Sequence, residues 1–258
     1  MKILIIGIGV VGSGLAKVFS KNNTVFLYNH HYDKAQILAN KISAQAVHSI
    51  EEVLDRVDLI LLSIKPKDLE KVSECLKGKT SNNQVIVSVL SATSHEVLET
   101  FLGKARILRM MPNISCFHGS GLVALADNTV FSDAEKNIYQ KAFEPLGKVF
   151  WIEESKFDAF TALGGSGPAF AFVIIESMID AGIALGLSMV QSREIAIQMF
   201  SGAIKTLKET GKHPGELKWE VTSPGGCTIA GIKTLEDESL RSGIINTFLS
   251  TYEQLKVK

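Results

Sequence analysis

Near its N-terminus the chain reads Gly7-Ile8-Gly9-Val10-Val11-Gly12, a G-x-G-x-x-G pattern directly after the apolar run Lys2–Ile6. The residues that follow, Val10–Lys21, carry Ala16, Val18 and Phe19 in a helical pattern. Alone, three spaced glycines say little. Between a strand and a helix they have a specific use, which is to bring backbone close to the phosphates of a dinucleotide. Gly7 would make the tight turn, Gly9 would admit a pyrophosphate, and Gly12 would let the helix pack on the strand. The helix start adds positive potential at the phosphates. All six residues, Gly7, Ile8, Gly9, Val10, Val11 and Gly12, are therefore candidate cofactor contacts.

Such a loop needs a parallel sheet around it. Further apolar runs lie at Thr24–Tyr28, Val57–Ser63, Gln84–Val89 and Arg106–Met110. Strands that are apolar along their whole length are buried on both faces, as in a parallel sheet. Helical patterns at Tyr32–Ile42, Pro66–Lys77 and Ser94–Phe101 separate them. Strand and helix in alternation predict right-handed βαβ units and a Rossmann-type doubly wound sheet. Gly119–Leu125 and Lys148–Ile152 read as further strands around a helix at Ser132–Pro145. From about residue 153 the texture changes, and only helical patterns remain: Phe157–Leu187, Val190–Thr210, Gly215–Val221, Thr228–Leu235 and Ser239–Leu255. The sequence thus predicts an α/β dinucleotide-binding domain over residues 1–152, then an all-α domain over 153–258. The apolar length of Phe157–Leu187 exceeds what a lone domain of about 100 residues can bury, which predicts pairing with a second copy.

Composition narrows the function classes. The 258 residues carry 27 basic and 27 acidic side chains, a net charge of zero. That balance makes a poor non-specific binder of nucleic acid or anionic membrane, because it lacks the basic excess that releases counterions. Three widely spaced cysteines, Cys75, Cys116 and Cys227, form no CxxC pair. They predict neither a disulfide framework nor a zinc site, and they suit a reducing cytoplasm. The apolar block Ile3–Val11 has its glycines inside it, unlike a signal peptide. Thr161–Met189 carries Glu176 and Asp180 and several glycines, which predicts a buried helix rather than a membrane span.

The end of the second strand bears on cofactor preference. An NAD site places Asp or Glu there for the ribose 2′-hydroxyl. This chain has Tyr28-Asn29-His30-His31-Tyr32-Asp33-Lys34, with no acid at the strand end. Asn29, His30 and Lys34 suit a 2′-phosphate, which favours NADPH, with NADH possible. His31 reads as a solvated turn residue. Lys65-Pro66 ends the run Val57–Ser63 on the ligand edge of such a sheet, so Ser63, Lys65 and Pro66 join the cofactor set. Asn113, after Pro112, is placed to face a nicotinamide.

A second informative segment is Ser223-Pro224-Gly225-Gly226-Cys227-Thr228-Ile229. Ser-Pro-Gly-Gly is a turn and a helix follows. The amides of Gly226, Cys227 and Thr228 would then stand unpaired at a helix start, a ready carboxylate site. The alternative is a plain turn and cap.

These blocks, in order, resemble the pyrroline-5-carboxylate reductase family over essentially the whole chain. They are Gly7–Gly12, Ser63-Ile64-Lys65-Pro66, Arg109-Met110-Met111-Pro112-Asn113, Gly164-Gly165-Ser166-Gly167-Pro168-Ala169-Phe170, and His213-Pro214-Gly215 leading into Ser223–Ile229. The last block is the most specific. The chain departs from the family at Cys227, where Thr or Ala is frequent. It also departs near His30, where Arg is frequent, and at Ser91-Ala92 and Ile114-Ser115. The resemblance implies hydride transfer from NAD(P)H to C5 of 1-pyrroline-5-carboxylate, giving L-proline. It implies Thr228 and Lys65 as catalytic residues, with Ser223, Gly226, Cys227, Thr228 and Ser166 on the substrate. It further implies an active site assembled in a homodimer, and rings of dimers in many members. Two rivals stay open on the residues alone. A related imine or 3-hydroxyacid dehydrogenase would want Lys or Asp on the long helix, but Ala159–Glu176 has no Lys and its one acid is Glu176. A non-catalytic NAD(P)-sensing regulator would want a partner-binding or DNA-binding surface.

Overall fold

The computed structural model describes residues 1–128 and 130–256. The first part alternates strand and helix. Its elements are β1 (Lys2–Ile6), α1 (Val10–Phe19), β2 (Thr24–Tyr28), α2 (Tyr32–Ile42), β3 (Gln45–Ala46), β4 (Leu59–Leu62), α3 (Leu69–Leu76) and β5 (Val85–Ser88). It continues with α4 (His95–Leu102), β6 (Arg106–Pro112), β7 (Gly121–Asp127), α5 (Asp133–Phe143) and β8 (Gly147–Glu153). The strands form one sheet in the order β3-β2-β1-β4-β5-β6-β7-β8. From β3 to β6 every pairing is parallel, with Ile6 opposite both Tyr28 and Leu62. This is the doubly wound order.

Burial on both faces explains the apolar strands. Ile3 and Ile5 pack with α1 residues Leu15 and Phe19, while Leu4 and Ile6 pack on the opposite face with Leu69 and Leu76 of α3. Leu59 and Leu61 divide from Ile60 and Leu62 in the same way. Each such fully buried Leu or Ile contributes about 1.5–3 kcal/mol. The sequence missed β3, because two residues show no periodicity. It also gave no sign that β7 runs antiparallel to β6, where Met110 faces Leu125.

Arg109 is a cation in the middle of β6 and only 5 % exposed. Its guanidinium pairs with Glu154 and lies 4.3 Å from the centre of the Phe157 ring. Phe157 in turn packs with Met111, Ala124 and Ala126. Although the strands end at Glu153, these contacts hold the following residues against the sheet. By packing, the first compact unit therefore continues to Ser166, together with residues 252–256.

The stretch read as one helix, Phe157–Leu187, is broken. It comprises α6 (Phe157–Phe160), a π-helical turn at Thr161–Gly165, and α7 (Gly167–Ala184). Pro168, in the first turn of α7, has no N–H to give the Gly164 carbonyl one turn back. The second unit, Gly167–Thr251, comprises α7, α8 (Met189–Thr210), α9 (Pro214–Glu220), α10 (Cys227–Asp237) and most of α11 (Leu240–Lys256). α7 and α8 approach closely, since a Cβ on Gly182 would lie 2.6 Å from Ser192 Oγ. Phe170 meets the Phe248 ring edge-on at 5.1 Å. The expectation of a buried helix at Thr161–Met189 is corrected here: α7 has no buried residue within this chain. Only Ser192 and Ala196 are buried among the described residues of this unit. The helices are too few to cover each other.

Glu154→Ala would strand the buried Arg109 guanidinium without its counter-ion. We expect a loss of about 2–3 kcal/mol in urea unfolding, seen as a lower midpoint at unchanged slope.

Candidate active site

β1 is flanked by β2 on one side and β4 on the other, and the chain leaves these strands in opposite directions. Doubly wound sheets bind ligands at that switch point, beyond the carboxyl ends of the strands. A cavity of about 790 Å³ opens there. Its floor is the glycine loop. Gly7 has φ +91°, and a Cβ on it would lie 2.4 Å from the Ser63 carbonyl oxygen. A Cβ on Gly12 would lie 2.0 Å from the Gly7 carbonyl oxygen. These two glycines are required by the protein's own packing. Gly9 is different, for a Cβ there would meet nothing within 4 Å. Its bareness leaves space on the cavity side rather than relieving an internal clash. Gly9 caps α1 without a side-chain hydrogen bond, and no acid stands in the first turn. The amides of that turn therefore lack intrahelical partners. Ser13 Oγ donates to the Ile8 carbonyl at 2.8 Å and fixes the loop. Open space at Gly9 and free amides at a helix start fit a pyrophosphate.

Most of the expected cofactor residues meet at this cavity. Asn29, His30, Ser63, Lys65 and Pro66 line it with Gly7, Ile8, Gly9, Val10 and Val11. Gly12 lies beneath. Asn29 Nδ2 donates to the His31 carbonyl at 3.1 Å, so the amide braces the turn. His31, read as a solvated turn residue, lines the cavity as well. So do Lys67 and Lys71, which the sequence reading passed over. Their signal was present, since both lie on the polar side of an amphipathic segment that buries Leu69 and Leu76.

Asn113 is not among the cavity residues. It is buried, and its Nδ2 donates to the Gly164 carbonyl at 3.0 Å while its Oδ1 accepts from the Leu122 amide at 3.1 Å. Gly164 is the residue whose carbonyl Pro168 leaves without an intrahelical donor. The Asn113 side chain thus braces the Gly164 carbonyl and the start of β7. Ser166, half-buried, closes the π turn through its amide to the Thr161 carbonyl at 3.0 Å.

The second constellation sits on the helical unit. Ser223-Pro224-Gly225-Gly226 is a turn closed by the Gly226 amide, which donates to the Ser223 carbonyl at 3.1 Å. Gly225, directly after Pro224, has φ +69°, as the third position of a type II turn demands. This corrects one expectation, because the Gly226 N–H is already used. Gly226 is instead the residue before the first turn of α10, and a Cβ on it would lie 2.5 Å from Ser223 Oγ. The unpartnered amides belong to Cys227, Thr228 and Ile229, at the start of an 11-residue helix with no acid in its first turn. Thr228 is exposed beside them, as is Cys227. Of the other cysteines, buried Cys116 has its thiol pushed up to about 11 by burial, and Cys75 is raised for the same reason. Neither is an activated nucleophile.

Gly9 and Gly12 make a paired test of the loop. Gly9→Ala should change stability by less than about 0.5 kcal/mol yet weaken dinucleotide binding about tenfold or more. Gly12→Ala should cost about 3 kcal/mol or more by forcing a Cβ onto backbone. Thermal melting and a fluorescence titration with NADPH separate the two effects.

Comparison with known proteins agrees with this division. Residues 2–92 match the family described as NADP oxidoreductase, coenzyme F420-dependent, and residues 154–257 match pyrroline-5-carboxylate reductase dimerisation. The pyrroline-5-carboxylate reductase of Aquifex aeolicus is 35% identical over 259 residues, covering 99% of this chain and 97% of the relative. The Streptococcus pyogenes enzyme of that name superposes with a TM-score of 0.91 at 30% identity, covering 100% of this chain and 99% of the other. The Plasmodium falciparum pyrroline carboxylate reductase, solved with NADP bound, has a TM-score of 0.90 at 27% identity, covering 100% and 97%. With likeness running through both the glycine-loop unit and the helical unit that carries Ser223–Thr228, the chain belongs to the pyrroline-5-carboxylate reductase family.

Proposed function

We propose that the protein reduces 1-pyrroline-5-carboxylate to L-proline, with NADPH as its reductant. One observation carries the reading beyond a generic dinucleotide binder. The Ser223–Gly226 turn delivers three unpartnered amides and the Thr228 hydroxyl to one helix start, a fit for a small ring that bears a carboxylate beside its nitrogen.

When bound, NADPH supplies the hydride that C5 of the ring accepts. The protein's own part is to hold and orient. The amides of Cys227 and Thr228, with Ile229 behind them, hold the substrate carboxylate at the positive end of α10. Ser223 stands at the same helix start, and Gly226 leaves it room. Thr228 Oγ, which can donate and accept, takes a hydrogen bond from the protonated ring nitrogen. A protonated imine is already electrophilic, so the site needs no strong general acid. Its main contribution is to fix the imine carbon in one orientation. On the other unit, Lys65 adds positive charge at the carboxyl end of β4 beside the glycine loop. Ser166 remains the candidate for the substrate pocket in the Gly164–Pro168 segment.

The absence of an acid at the end of β2, with Asn29 and His30 in its place, supports NADPH over NADH. The dimerisation family match and the unburied α7 support a homodimer, whose second copy covers that apolar surface. The free cysteines support a reducing cytoplasm.

The test is oxidation of NADPH by the purified protein in the presence of 1-pyrroline-5-carboxylate, with proline as product. Cofactor binding without turnover would favour a sensor instead. Thr228→Ala removes one hydrogen bond to a charged nitrogen, so kcat/KM should fall roughly 10- to 150-fold with little change in cofactor affinity. Cys227→Ala should be nearly silent, because only the Cys227 amide acts; a large loss there would point to the thiol.

His30→Asp should move the kcat/KM ratio toward NADH, since a carboxylate repels a 2′-phosphate and accepts from a 2′-hydroxyl. An unmoved ratio would put His30 away from the ribose.

A further inference from the structure

The cavity at the switch point carries more positive charge than a pyrophosphate on α1 uses. Lys65, Lys67 and Lys71 line it with one carboxylate, Asp68. Among the described residues, none of these four groups has an opposite charge within 4 Å. Lys67 and Lys71 stand four residues apart, on the Pro66–Asp68 turn and α3, and both line the same wall. Like charges at that spacing repel each other. Nothing in the packing of α3 requires them, since its buried residues are Leu69, Ser73 and Leu76.

The other lining completes the argument. The lining also includes Tyr28, Ile50, Ile64 and Val72, an apolar set that suits an aromatic base. The pyrophosphate belongs at Gly9, where the helix amides already meet its charge. The Asn29 amide is spent in part on the His31 carbonyl. A second anion carried near the base of the same ligand would therefore find its counter-charge on Lys67 and Lys71.

We propose that Lys67 and Lys71 clamp the 2′-phosphate of NADPH and so set its preference over NADH. This rests on the reading of the protein as an NAD(P)H-dependent reductase. A phosphate gains charge-assisted hydrogen bonds from the pair and relieves their mutual repulsion, whereas a 2′-hydroxyl does neither. Selectivity follows from what the pair loses when the phosphate is missing.

The double variant Lys67→Gln/Lys71→Gln tests it, both positions being exposed. kcat/KM is measured with NADPH and with NADH at saturating 1-pyrroline-5-carboxylate. The NADPH/NADH ratio should fall about tenfold or more, through the KM for NADPH. Lys77→Gln, the same charge change at the end of α3 outside the cavity, should leave the ratio in place. In calorimetry the double variant should lose affinity for 2′,5′-ADP and keep its affinity for 5′-AMP. A ratio that falls by less than about threefold, or that falls equally in the Lys77 variant, overturns the clamp. Failure of the unaltered protein to oxidise either cofactor would overturn the reductase reading instead, and the two nucleotide titrations would still decide the clamp.

Discussion

Three pieces of backbone meet where β1 ends. The Gly7 turn rests on the Ser63 carbonyl at the exit of β4, and Gly12 brings α1 down onto the Gly7 carbonyl. No side chain fits at either contact. Because the contacts are backbone on backbone, the first turn of α1 is held at a fixed height above the sheet, with its amides pointing into the cavity. The crevice beyond the carboxyl ends of β1 and β4 takes its shape from this junction. Gly9 is the exception: it is bare although nothing in the chain presses on it.

The Gly164–Pro168 segment solves a different problem. Proline in a helix leaves a carbonyl without a donor, and a buried orphan carbonyl is costly. Here Asn113, from the end of β6, supplies the missing N–H with one half of its amide and holds the start of β7 with the other. A helix interruption, a strand end and an antiparallel strand are thereby tied through one side chain. π turns of this kind frequently mark functional segments. The helical unit beyond it shows the opposite economy. Its long helices leave Phe172, Val173 and Leu185 largely exposed, surface that a single chain cannot cover. The same surface makes Glu154–Ala184 long and apolar enough to cross a membrane on composition alone. Residues 154–257, which contain it, match the pyrroline-5-carboxylate reductase dimerisation family.

Periodicity and turn chemistry carry most of the fold, and these are local. The apolar runs declared a sheet buried on both faces, the glycines declared the loop, and Ser-Pro-Gly-Gly declared a turn feeding a helix. Each depends on residues within a few positions of one another, so the order of side chains is sufficient. Family resemblance added the substrate to that frame, since no spacing of residues specifies a cyclic imine. Other features depend on which distant residues become neighbours. Arg109 finding Glu154, the direction of β7, Asn113 bracing Gly164, and the Gly226 amide being already spent are all of this kind. So is the gathering of Lys67, Lys71, His31 and Asn29 around one cavity, from segments that share no local pattern. The sequence by itself determined the periodic elements and the turns, because backbone sterics and hydrophobic period act over a few residues. Only the tertiary structure decided which polar atoms are satisfied and which are left to bind a ligand, because that accounting closes only when the whole chain has packed.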